Sequence, residues 1–111
     1  MVTAEAVRRG DVVLVSPDPT QGREIRKTRP CVVVSPDELN AHVRTLIVAP
    51  LTTGGHLYPF RVLCRYQERA GSVEIDQIRT IDRERLAGRV GKLSPQTLGH
   101  VLSILREMFA R

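Results

Sequence analysis

Aromatic side chains make up only 4% of this 111-residue chain, with two Tyr, two Phe and no Trp. A surface that grips its ligand mainly by ring stacking needs more rings, so charge and hydrogen bonds must carry most of any nucleic-acid contact. Cysteine is equally scarce. Cys31 and Cys64 lie far apart in the chain, with no CxxC and no His–Cys grouping. They read as two reduced, buried thiols packing like small hydrophobes, and nothing in the pattern supports a disulfide. No HxxxH motif and no carboxylate cluster suggests a metal site, and no cofactor is expected. No apolar run approaches the roughly 20 residues that cross a bilayer. The first nine residues mix Glu5, Arg8 and Arg9 with small residues and lack the apolar core of a signal peptide. A cytoplasmic protein with no membrane partner is expected.

What is present is positive charge. Seventeen Lys and Arg stand against twelve Asp and Glu, a formal net charge of +5. That balance favours a polyanion or an acidic protein partner over a neutral small molecule. The length suits one domain, residues 1–111, with one modest core. The charge concentrates at Arg23, Arg26, Lys27 and Arg29, which run without a spacer into the apolar stretch Cys31 to Val34. A basic loop mounted on a rigid strand suits the docking of something negative.

The pattern around that loop is largely β. Val12 to Val15 is a short apolar run bounded by Gly10-Asp11 and Ser16-Pro17-Asp18-Pro19, which predicts a buried strand followed by a loop from Ser16 to Thr28. Loops of that length in small domains are usually functional or disordered. A second strand is expected over Cys31 to Val34. Ser35-Pro36-Asp37-Glu38 then resembles a capping box opening one helical turn to about Asn40. Leu46 to Ala49 reads as a strand ended by Pro50, and Phe60 to Cys64 as extended chain. Val73 and Ile75 alternate inward before the phase slips at Ile78, which a β-bulge near Asp76-Gln77 would explain. From Ser94 the period changes. Ser94 caps, Pro95 opens, and Leu98, Val101, Leu102, Leu105, Met108 and Phe109 form one amphipathic stripe. Ile104 lies off it, so either the apolar face is wide or it meets a second subunit. The expected fold is mainly β: a small SH3-like barrel closed by a C-terminal helix.

The segments "GDVVLVSPDPTQGREIRKTRPCVVVSP", "IVAPLTT", "YPF" and "DQIRTID" occur in this order. Together they resemble the MazF/PemK (Kid) family of toxin endoribonucleases from type II toxin–antitoxin pairs, over nearly the whole chain. The resemblance implies an SH3-like barrel, a homodimer, and metal-independent cleavage of single-stranded RNA leaving a 2′,3′-cyclic phosphate and a 5′-hydroxyl. It also implies a cognate antitoxin whose acidic tail lies across the basic groove, a partner the charge suits.

By that resemblance Arg29 matches the family's catalytic arginine and Thr52 its catalytic threonine, with Glu24 an acidic loop position implicated in members. On residues alone, Arg29 would pair with a carboxylate such as Asp18 or Glu24, and Thr52 and Thr53 would satisfy their own strand end. In the Kid-like branch an Arg-x-Asp precedes the last motif; here Glu74 replaces the arginine and Asp76 is kept. Asp76 and Gln77 are therefore expected in base recognition or site support. Arg23, Arg26 and Lys27 would hold RNA phosphates, Thr53 a neighbouring phosphate or base, and His56, in a Gly-Gly-His loop beside Thr52, would contact RNA and offers an imidazole for proton transfer. His42 and His100 read as surface residues, Tyr58 as a stacking face, and Phe60 as core in preference to a second stacking ring. Two other classes share the expected barrel: gyrase-poisoning toxins of the CcdB type, and nucleic-acid modules without catalysis.

Overall fold

The computed structural model describes residues 7–17, 27–53, 58–66 and 68–111. The elements are β1 (Asp11–Val15), β2 (Arg29–Val33), α1 (Asp37–Asn40), β3 (Thr45–Thr53), β4 (Arg61–Tyr66), β5 (Arg69–Glu74), β6 (Arg79–Asp82), β7 (Leu86–Lys92) and α2 (Pro95–Met108). Antiparallel pairing joins the seven strands in the order β4-β5-β3-β2-β1-β7, with β6 also on β3. The class is mainly β with a C-terminal helix, as the sequence suggests. Among the described residues, however, the barrel is not closed, and β4 and β7 end the order. β3 is long enough to take β6 along Thr45–Val48 and then β5 along Leu51–Thr53, so the sheet branches there.

Pro50 does not end β3 as its residue type suggests. It pairs with Cys31 of β2 and falls in the interval between the β6 and β5 ladders, where a missing N–H removes least. Ser35 is likewise no capping residue. The N-cap of α1 is Pro36, without a side-chain bond. The Ser35 hydroxyl instead donates to Asn40 Oδ1 at 2.6 Å and accepts the Ile47 N–H at 3.1 Å, tying the helical turn to β3. The phase slip after Ile75 is a 3-10 turn over Ile75–Gln77, not a bulge.

Alternation along the strands sorts the apolar residues onto two faces. Val12, Val32, Ala49, Leu51, Val62, Val73 and Ile75 form one buried cluster, against which α2 lays Val101 and, half-buried, Leu98, Ile104, Leu105 and Met108. Ile104 thus belongs to a wide apolar face packed on the sheet, whereas Phe109 is 70% exposed, off the core. Ser94 caps α2 by accepting the Thr97 N–H at 3.1 Å. Gly10, at φ 95°, lets the helix close down, because a Cβ there would stand 2.9 Å from Leu98 Cδ2. The opposite face carries the second cluster: Val13, Val15, Cys31, Val33, Leu46, Val48, Ile81 and Leu86.

Candidate functional site

The second face is covered over β1, β2, β6 and the first half of β3. Beyond Pro50 its residues turn polar. In β3 the alternation Leu46, Val48, Pro50 leads to Thr52, and in β2 the alternation Val33, Cys31 leads to Arg29. The β2–β3 register pairs Cys31 with Pro50. Continued by two residues, it sets Arg29 opposite Thr52, and opposite residues of an antiparallel pair project to the same side. Across the other edge of β3, Thr52 pairs with Ser72, and Ser72 with Leu63 of β4. Arg29, Thr52, Ser72 and Leu63 therefore form a row across four strands. Glu74 and Arg61, directly paired, form part of the next row.

Arg29 and Thr52 line one cleft of about 290 Å³ together with Thr28, Pro30, Leu51 and Thr53. That lies at the lower limit of ligand pockets, about 300 Å³, and fits one unit of a longer chain. Among the described residues no carboxylate or hydrogen-bond acceptor engages the Arg29 guanidinium; Asp18 and Glu24 lie outside them. The Thr52 hydroxyl is half-buried, 3.1 Å from Ser72 Oγ. A fixed fork of N–H donors beside a hydroxyl is the equipment for holding a tetrahedral oxyanion.

The second grouping is built around Arg61. Its NH2 lies 3.2 Å from Glu74 Oε2, and its Nε donates to Asp76 Oδ1 at 3.1 Å. Its guanidinium stacks over Tyr58, 4.9 Å from the ring centroid. Gln77 Nε2 donates to Asp76 Oδ2 at 3.3 Å. The hydrogen bond from Arg61 is the main reason the Asp76 carboxyl titrates below its ordinary range, with Gln77 helping. Asp76 is thus a permanent anion near neutral pH, with its charge answered from within the protein.

Cys31 lies beneath this face. Burial pushes its thiol up to about 11, opposed by the fields of Arg79, Arg29 and Arg85 and reinforced by Glu74. Burial raises the Cys64 thiol too. Both cysteines are free and buried, so both remain protonated packing groups.

Of the residues singled out from the sequence, Arg29, Thr52 and Thr53 come together in the cleft, and Asp76 and Gln77 join the Arg61 network. Lys27 is exposed ahead of β2. Arg23, Glu24, Arg26 and His56 lie outside the described residues. His42 and His100 are exposed. Phe60, expected in the core, is 39% exposed at φ 64°, a left-handed turn position just before β4. Sequence reasoning passed over Ser72, Arg61 and Arg79. Arg79 sits inside the "DQIRTID" segment and could have been found there. Ser72 and Arg61 take their meaning only from strand register.

Residues 8–109 match the family described as PemK-like, MazF-like toxin of type II toxin-antitoxin system. Among curated relatives, the endoribonuclease toxin MazF of Escherichia coli (strain K12) is 37% identical over 99 residues, covering 88% of this chain and 89% of its own length. Among solved structures, the crystal structure of MazF (Form-I) from Deinococcus radiodurans superimposes with a TM-score of 0.74 at 27% identity, covering 92% of this chain and 94% of that one. An endoribonuclease in complex with its cognate antitoxin, from a mycobacterial species, gives 0.76 at 24% identity, covering 92% and 93%.

Proposed function

The chain belongs to the PemK-like, MazF-like toxin family of type II toxin–antitoxin systems, and from that footing we propose that it is a metal-independent endoribonuclease that cuts single-stranded mRNA and stops translation. The observation that carries this reading is the cleft shared by Arg29 and Thr52. RNA supplies its own nucleophile. The ribose 2′-oxygen loses its proton and attacks the adjacent phosphorus, and the bond to the 5′-oxygen breaks as that oxygen gains a proton. The products are a 2′,3′-cyclic phosphate and a 5′-hydroxyl.

Charge builds on the non-bridging oxygens as the fifth bond forms, and Arg29 and Thr52 donate to them there. Guanidinium keeps its proton to a pH above about 12, so Arg29 acts through charge and not as a base. Glu24, matched by family likeness, is the proposed acceptor of the 2′-proton. Arg61, Asp76, Gln77 and Arg79 extend the face along the strand path and would meet nucleotides flanking the cut. The working protein is a cytoplasmic homodimer, and its antitoxin covers this face with an extended acidic segment.

The test is incubation of purified protein with a long single-stranded RNA in EDTA. Cleavage leaving cyclic-phosphate and 5′-hydroxyl ends is expected, and a single 2′-deoxy substitution at the cut site should block it. Intact RNA after prolonged incubation would refute the reading, and cleavage of the 2′-deoxy substrate would refute the mechanism.

A further inference from the structure

We propose that Ser72 is a positioning residue that turns the Thr52 hydroxyl toward the scissile phosphate, an inference that rests on the ribonuclease reading above. Ser72 is 1% exposed. A hydroxyl buried without a partner is unfavourable. Among the described residues the one hydrogen bond available to it runs to Thr52 Oγ1, at 3.1 Å. The two side chains face each other because their strands pair Thr52 with Ser72 directly.

Each hydroxyl has one proton to give and two lone pairs to receive with. Thr52 opens on the cleft, where a phosphate oxygen would take its proton. Ser72, sealed from solvent, finds in the described structure one place for its own proton: the oxygen of Thr52. With substrate bound, the arrangement that uses both protons is a relay in which Ser72 donates to Thr52 and Thr52 donates to the phosphate. In such a chain each bond polarises the next, so Thr52 becomes a better donor as charge grows on the phosphorane. Without Ser72 the Thr52 rotor has no internal guide.

The backbone enforces this geometry. A Cβ added to Gly71 would lie 2.3 Å from the Thr52 carbonyl oxygen. Only glycine lets β5 approach β3 that closely, and the close approach seats Ser72 opposite Thr52. Thr52 is itself stiff about its first side-chain torsion because it branches at Cβ. Its oxygen is held by the strand, and its proton is steered by the neighbouring serine.

Ser72→Ala removes one oxygen and leaves a shape that fits, while the half-exposed Thr52 hydroxyl still reaches water. The variant should keep the wild-type thermal midpoint and bind a non-cleavable, 2′-deoxy-substituted RNA as tightly as wild type. Its kcat should fall about five- to tenfold with KM unchanged. In a Thr52→Val background the same change should do nothing further, so the double variant cuts at the Thr52→Val rate. An unchanged kcat for Ser72→Ala, in a wild type that cuts RNA, would overturn the inference and leave the ribonuclease reading standing. Parallel losses of kcat, RNA affinity and thermal midpoint would also overturn it, by showing a packing role. A wild-type protein that leaves RNA intact would overturn both.

Discussion

Two arginines on the same open face do opposite things. Arg61 is fully engaged: it holds Glu74 and Asp76 and stacks on Tyr58, and its side chain is only 18% exposed. Arg29, three strands away, projects beside Thr52 with no acceptor on its guanidinium among the described residues. The contrast teaches how one residue type serves as scaffold or as reagent. A guanidinium whose donors are spent internally fixes the shape and charge of its surroundings. One whose donors are left unspent at a rigid strand end is available to a ligand, and the cost of leaving it so is borne by the rest of the fold.

Replacing each arginine should break the comparison in opposite directions. The larger effect is expected for Arg29→Ala. By analogy with loss of an oxyanion-hole donor, kcat should fall by about 10²–10³. The thermal midpoint should stay at the wild-type value, because no described internal partner is orphaned. Single-turnover cleavage and thermal unfolding would check the two halves. Arg61→Met should invert the pattern. Glu74, with a side chain only 16% exposed, loses its counter-charge, so the thermal midpoint falls. Cleavage should slow by less than about tenfold, mainly through KM, as when binding rather than transition-state contacts is lost. Mapping the cut ends would show altered nucleotide preference beside the cleavage point.

The smallest effect concerns pH. The folded Asp76 carboxyl is held below the ordinary range by Arg61. Its contribution to stability is therefore fully present above the unfolded value of about 3.9 and is lost only as pH falls through the lower folded value. The difference in thermal midpoint between wild type and Asp76→Asn should be constant from about pH 5 to 8 and shrink only in stronger acid. A difference that changed near pH 6 would mean that another group, not the Arg61–Asp76 pair, governs this corner.

How far the sequence could be read depended on whether a feature is local. The β1 run and the Ser94-Pro95 start of α2 rest on neighbouring residues, and both stand where the pattern puts them. β7 does not announce itself. Leu86–Lys92 holds two glycines and two cations, and pairing with β1 makes it a strand. Pro50 within β3 misleads for the same reason: its place between two ladders cannot be known before the ladders are. The site divides likewise. Arg29 and Thr52 were reached through family likeness, and their shared cleft follows from register. Ser72 reads as an outward polar residue of an alternating strand. It is 1% exposed although its direct partner Leu63 is 59% exposed, a burial that alternation along the strand does not announce. Arg61 reaches Glu74 and Asp76 from a different strand, a relation that a linear motif cannot express.

The place of Cys31 has a consequence beyond packing. It stands two residues from Arg29 on β2 and is buried in one cluster, while Cys64 is buried in the other. The S–H bond vibrates in a spectral window where few other protein groups absorb. An anion settling over Arg29, two residues along the same strand, should therefore shift the Cys31 band more than that of Cys64, which packs in the other cluster.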